Sequence, residues 1–170
     1  MFTVEPSQKY WAVQILTHDY LIDGYIDGDR DKYIFRLIGH DVSPIAVVSA
    51  RLRPTGILNI QQRGPIQRML VYGDQLIALI PHDEVSLTAA RQTNASFKIG
   101  SPGEVYVGPY LIRGKVMSLD SSLRVFATYN GFVIEDAEIS CLTPDTPLTA
   151  MNVPYVLVMS RQKQAMLPSE

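Results

Sequence analysis

Apolar and polar residues alternate, or gather in short apolar runs, along most of the chain, and stretches with a helical period are scarce. Residues 10–16 (YWAVQIL) read as a strand, Thr17-His18-Asp19 as a tight turn and 20–26 (YLIDGYI) as the hairpin partner. Asp27-Gly28-Asp29-Arg30-Asp31 is turn chemistry, because Asp side chains bond the local backbone and Gly permits positive φ. Further strands are expected at 33–38, 45–52 and, broken at Gly73-Asp74, 69–80, with Pro54 to Pro65 as a loop. Residues 83–95 lack a strand pattern and suit a short helix capped by Asp83, with Glu84 in its first turn. Beyond it, Phe97-Lys98-Ile99 and Glu104-Val105-Tyr106-Val107 read as strands with Gly100-Ser101-Pro102-Gly103 turning between them. The segments 110–117, 123–129, 132–142 and 153–160 supply the rest, and Asn130-Gly131 is a strong hairpin signal.

One sequence returns within this pattern. Tyr20-Leu21-Ile22-Asp23-Gly24-Tyr25-Ile26 comes back as Tyr110-Leu111-Ile112-Arg113-Gly114-Lys115-Val116. Val47-Val48-Ser49-Ala50-Arg51-Leu52 parallels Ile134-Glu135-Asp136-Ala137-Glu138-Ile139, and Pro54 parallels Pro144. Leu76-Ile77-Ala78-Leu79-Ile80 is set against Tyr155-Val156-Leu157-Val158-Met159, which gives the first copy the longer loop before its closing strand. The expected fold is therefore all-β, with two tandem small barrel-like modules related by internal duplication. The boundaries are 1–84 for the first module, 85–95 for a linker with a possible short helix, 96–163 for the second module and 164–170 for a flexible tail.

Each copy resembles a small SH3-like or Sm-like barrel. Val13 to Gly24 is similar to the opening of an Sm-like domain, where a strand, a tight turn and a strand ending in Gly precede a bent second strand. Asp120, six residues after Gly114, and Tyr72-Gly73-Asp74-Gln75-Leu76-Ile77 resemble further parts of that pattern. The chain departs from it at Ser121-Ser122-Leu123, where the RNA-facing Asn is absent, and at Tyr72, which stands for the closing Arg. Phe132-Val133-Ile134-Glu135-Asp136-Ala137 also resembles short bacterial β domains to which no activity is attached. The Sm-like resemblance implies RNA binding through the Arg51–Arg68 loop, with Arg51, Arg53, Arg63 and Arg68 as the contacts.

Composition narrows the function. Hydrophobic residues make up 46% of the 170, enough for a real core. The net charge of −2 lacks the basic surplus that phosphate binding favours, and no aromatic residue lies between Phe35 and Tyr72 to stack on bases. Cys141 stands alone, with no histidine after it to act as a base. Every histidine precedes an aspartate. His18, Asp19, His40 and Asp41 are the candidate metal ligands, set against the bland reading of turn residues. Asp27, Asp29 and Asp31 have the opening spacing of a calcium loop, but Lys32 and Ile38 occupy its Gly and Glu positions. No phosphate loop, nucleophile elbow or Cys-x-x-Cys pair occurs, so no catalytic residue and no cofactor is assigned. No basic leader, and no apolar run of the roughly 18 residues a membrane helix needs, points to a membrane; a cytoplasmic location is expected. The leading expectation is a non-catalytic interaction or assembly module that uses exposed β edges to bind itself or a protein partner, with the alternation in Tyr110 to Met117 and Val153 to Met159 as its motive. RNA binding and a metal-dependent activity at the His-Asp pairs are the alternatives.

Overall fold

A computed structural model describes residues 10–28, 34–35, 44–56, 64–119, 131–159 and 163–168. The fold is all-β with one helix among these residues. The first half contributes β1 (Tyr10–Leu16), β2 (Tyr20–Asp27), β3 (Ile45–Pro54), β4 (Ile66–Val71) and β5 (Ala78–Pro81), followed by α1 (Glu84–Thr93). The second contributes β6 (Ile99–Val107), β7 (Tyr110–Ser118), β8 (Gly131–Cys141), β9 (Met151–Met159) and β10 (Lys163–Pro168). These strands form a single ten-stranded sheet in the order β10-β6-β7-β8-β9-β5-β1-β2-β3-β4. The sheet is open, ending at β10 and β4, so the chain is not two separate closed barrels.

Each half has the same strand order. The fifth strand pairs with the first, and the fourth lies at the far edge: β5-β1-β2-β3-β4 and β10-β6-β7-β8-β9. The register agrees residue by residue. The β2–β3 ladder shifts between Asp23 and Tyr25, and the β7–β8 ladder between Arg113 and Lys115. Both shifts are bulges centred on a glycine, Gly24 and Gly114. A Cβ on Gly114 would lie 2.8 Å from the Glu135 carbonyl oxygen and 2.7 Å from Ile134 Cγ2; one on Gly24 would press on Val47 Cγ1 and the Val48 carbonyl. Across from each glycine stands a residue with left-handed backbone, Ser49 (φ 53°) or Asp136 (φ 50°). The bulges bend each sheet half, which is why a glycine with room for the opposite backbone recurs. The turn after each first strand is clasped alike: the Thr55 N–H donates to the Asp19 carbonyl at 2.9 Å, and the Leu142 N–H to the Pro109 carbonyl at 2.7 Å.

This register corrects part of the sequence alignment. Thr55 corresponds to Leu142, so Pro54 matches Cys141 and not Pro144. β9 pairs with β8 as β4 pairs with β3, and β10 pairs with β6 as β5 pairs with β1. Leu76–Ile80 therefore does not match Tyr155–Met159. Apolar closing strands look alike in sequence, and only their neighbours tell them apart. Residues 163–168, expected to fray, form β10. Gly100 to Gly103 do not turn; they continue β6 through nine register pairs with β7. Pro102 lies one residue beyond Gly103, the last β6 residue with a described β10 partner, so among the described residues it meets no ladder on that side. Ile34 and Phe35 lie in a turn, not a strand, and the rest of 33–38 falls outside the described residues. So do 123–129 and Asn130 of the expected Asn130-Gly131 hairpin.

Neighbouring side chains on a strand point to opposite faces. On β9, Tyr155 and Leu157 join one buried cluster while Val156 and Val158 join another. The first cluster holds Val13, Ile15, Val47 and Leu79, and the second holds Val105, Ile112, Ile134 and Ile139. Strands at the centre of the sheet are thus covered on both faces, which explains the unbroken buried runs at 78–81 and 155–158. Leu87 and Ala90 of α1 close over the first cluster. The helix starts where the Asp83 carboxylate accepts the Ser86 N–H at 2.8 Å, and ends at Asn94, whose side chain donates to the Phe35 carbonyl at 2.7 Å. Trp11 packs on Phe35 with ring centroids 4.9 Å apart, anchoring that turn to the core.

Candidate interaction edges

His18 and Asp19 form the exposed β1–β2 turn. His40 and Asp41 lie outside the described residues, as does Arg63. His82 follows β5, and its backbone N–H bonds the Ala12 carbonyl, several residues along β1 from His18. Among the described residues no group of three or more His, Cys, Asp or Glu converges. Arg51 and Arg53 project from β3 and Arg68 from β4, all exposed. Arg53 is engaged by Asp23 through both oxygens, at 2.9 and 3.1 Å. Two open hollows lie on the surface: one is lined by Gly103, Glu104, Arg113 and Lys115, another by Arg53, Pro147, Leu148 and Met151. In the first, the Arg113 guanidinium donates to the Glu104 carboxylate at 2.7 Å.

More informative is the contrast between a covered strand and a free one. β9 meets β5 with Ala78 opposite Val158 and Leu79 opposite Leu157, and the Met159 N–H donates to the Ile77 carbonyl at 2.9 Å. This pairing joins the two halves. It is reinforced by the Tyr110 hydroxyl, which donates to the Thr17 carbonyl at 2.7 Å, and by the Thr146 hydroxyl and Cys141 thiol, which both donate to the Thr55 carbonyl. Burial pushes the Tyr110 phenol well above its usual range, and does the same to Tyr155 under α1. Arg91 of α1 sits 6.0 Å from the Tyr155 ring centre.

β4 holds in the first half the place that β9 holds in the second, but no described strand flanks it. Leu157 is 0% exposed; Leu70, at the corresponding position, is 49% exposed. Tyr72, just past β4, is 56% exposed, and Gln67 and Arg68 also face solvent. The segments whose alternation suggested edges, Tyr110 to Met117 and Val153 to Met159, lie in β7 and β9, which are paired on both sides; nothing local distinguishes an edge from a central strand, so sequence reasoning missed Leu70 and Tyr72. At the opposite end, among the described residues, β10 pairs with β6 alone. Among the described residues no helix is long and apolar enough to cross a membrane. Comparison with known protein families, with characterised proteins and with solved structures gives no match for this chain.

Proposed function

We propose that this chain is a non-catalytic assembly module, built from two duplicated Sm-like or SH3-like units, whose exposed β edges bind further copies of itself or a partner chain. The observation that carries the reading is the exposure of Leu70 and Tyr72 on an edge unpaired among the described residues, against the burial of Leu157 on its paired counterpart. An unpaired edge offers a row of backbone donors and acceptors, and natural sheets usually blunt such an edge with charge, Pro or a cover. Arg68 is the one charge on β4 itself, next to two large apolar side chains. The shared strand order and the matched glycine bulges support the duplication. RNA binding through Arg51, Arg53, Arg63 and Arg68 ranks second, since Asp23 already neutralises Arg53. Size-exclusion chromatography with light scattering over a range of concentrations tests the proposal. The expected mass exceeds one chain and falls toward one chain in Leu70→Lys. A strict monomer that retains no partner in a pull-down overturns it.

A further inference from the structure

The two free edges of the sheet are complementary to each other. The second half ends in β9, and β9 is covered by β5, the fifth strand of the first half. The first half ends in β4, which corresponds to β9. The fifth strand of the second half is β10, which corresponds to β5. We infer that β4 of one copy pairs antiparallel with β10 of the next, repeating between chains the β9–β5 junction that each chain already contains. This rests on the assembly reading above and assigns it a partner, a second copy of this chain, and a geometry.

The register follows from the internal junction. Val48 faces Arg68 as Glu135 faces Tyr155, and Val47 faces Met69 as Ile134 faces Val156. Each β4 residue therefore corresponds to the β9 residue 87 positions on. The same spacing links β5 to β10: Ala78 lies opposite Leu16 and Pro81 opposite Val13, while Ala165 lies opposite Tyr106 and Pro168 opposite Gly103. Transferred to the contact between copies, Ala78–Val158 becomes Val71–Ala165 and Leu79–Leu157 becomes Leu70–Met166. The Met159-to-Ile77 backbone bond becomes one from the Tyr72 N–H to the Gln164 carbonyl. Leu70 then gains the strand neighbour that Leu157 already has. Such an interface joins two different surfaces, so each added copy leaves the same two edges free. Repetition of one rotation closes a ring or continues as a filament.

Disulfide trapping in a Cys141→Ser background tests this. Leu70→Cys and Met166→Cys are made as separate single variants and oxidised alone and mixed. The expected result is a cross-linked dimer only in the mixture, and a ladder of covalent multimers when one chain carries both. In unmodified protein, hydrogen exchange at the Leu70 and Tyr72 amides slows as concentration rises. If light scattering shows several chains but cross-links form only between two Leu70→Cys chains, or not at all in the mixture, or those amides stay unprotected, the β4–β10 pairing is wrong while assembly stands. If the protein is a monomer at every concentration, both fall.

Discussion

The Tyr110 hydroxyl donates to the Thr17 carbonyl, 2.7 Å away and buried. Tyr110 opens β7 of the second half, and Thr17 directly follows β1 of the first. The bond ties a side chain of one half to the turn backbone of the other, and the Thr146 and Cys141 bonds to Thr55 also join the two halves. Tyr110→Phe keeps the ring and removes the bond, at an expected cost of about 1–2 kcal/mol, because a buried acceptor loses its partner. Urea unfolding checks this, and a variant as stable as the parent shows that the bond contributes nothing net.

The same tyrosine predicts alkaline sensitivity. Burial raises the Tyr110 and Tyr155 phenols above their usual range. Tyrosines of the unfolded chain release protons near pH 10, while these two keep theirs in the fold. Their stabilisation is therefore complete below that pH and is lost as pH rises through the folded values. Stability measured from pH 8 to 11 should fall less steeply in Tyr110→Phe/Tyr155→Phe than in the parent.

Leu70 and Leu157 should respond oppositely to truncation. Leu157→Ala opens a cavity between α1 and the junction and should cost about 2–5 kcal/mol. Leu70→Ala, half in solvent, should change monomer stability by no more than about 0.5–1 kcal/mol while weakening self-association. Denaturation at low concentration separates the two effects from assembly.

At the bulges, Gly114→Ala should destabilise by about 1–3 kcal/mol through forced overpacking, since the Glu135 carbonyl 2.8 Å from the new methyl is backbone and yields little. Gly24→Ala should cost a comparable amount, because its methyl would press on Val47 Cγ1, a buried β-branched side chain with little room to move. A melting temperature equal to the parent's in either variant would contradict this.

Asp83 caps α1, the cover over Leu157. Asp83→Ala should cost roughly 1 kcal/mol, and Asp83→Ser, which keeps an acceptor for the Ser86 N–H, should recover most of it by thermal denaturation.

Local chemistry alone determined much of this protein. Alternation and short apolar runs located β1, β2, β3, β7, β8 and β9 to within a residue or two, because a strand buried on one face alternates and one buried on both reads as a run. The recurring Tyr-Leu-Ile-x-Gly and the paired Val47–Leu52 and Ile134–Ile139 segments marked the positions at which the ladders place their glycine-centred bulges, and Asp83 announced a helix start. Tertiary pairing decided the rest. Whether an apolar run is a central strand or an edge depends on its neighbours, so β9 could be mistaken for the counterpart of β5 until their ladders fixed each place. The fate of residues 163–168 likewise hung on β6 offering an edge, and Leu70 became notable only when Leu157, with the same local pattern, proved to be covered. Backbone hydrogen bonding between distant strands carries no side-chain signature, and that is why the sequence announced the strands but not the order in which they join.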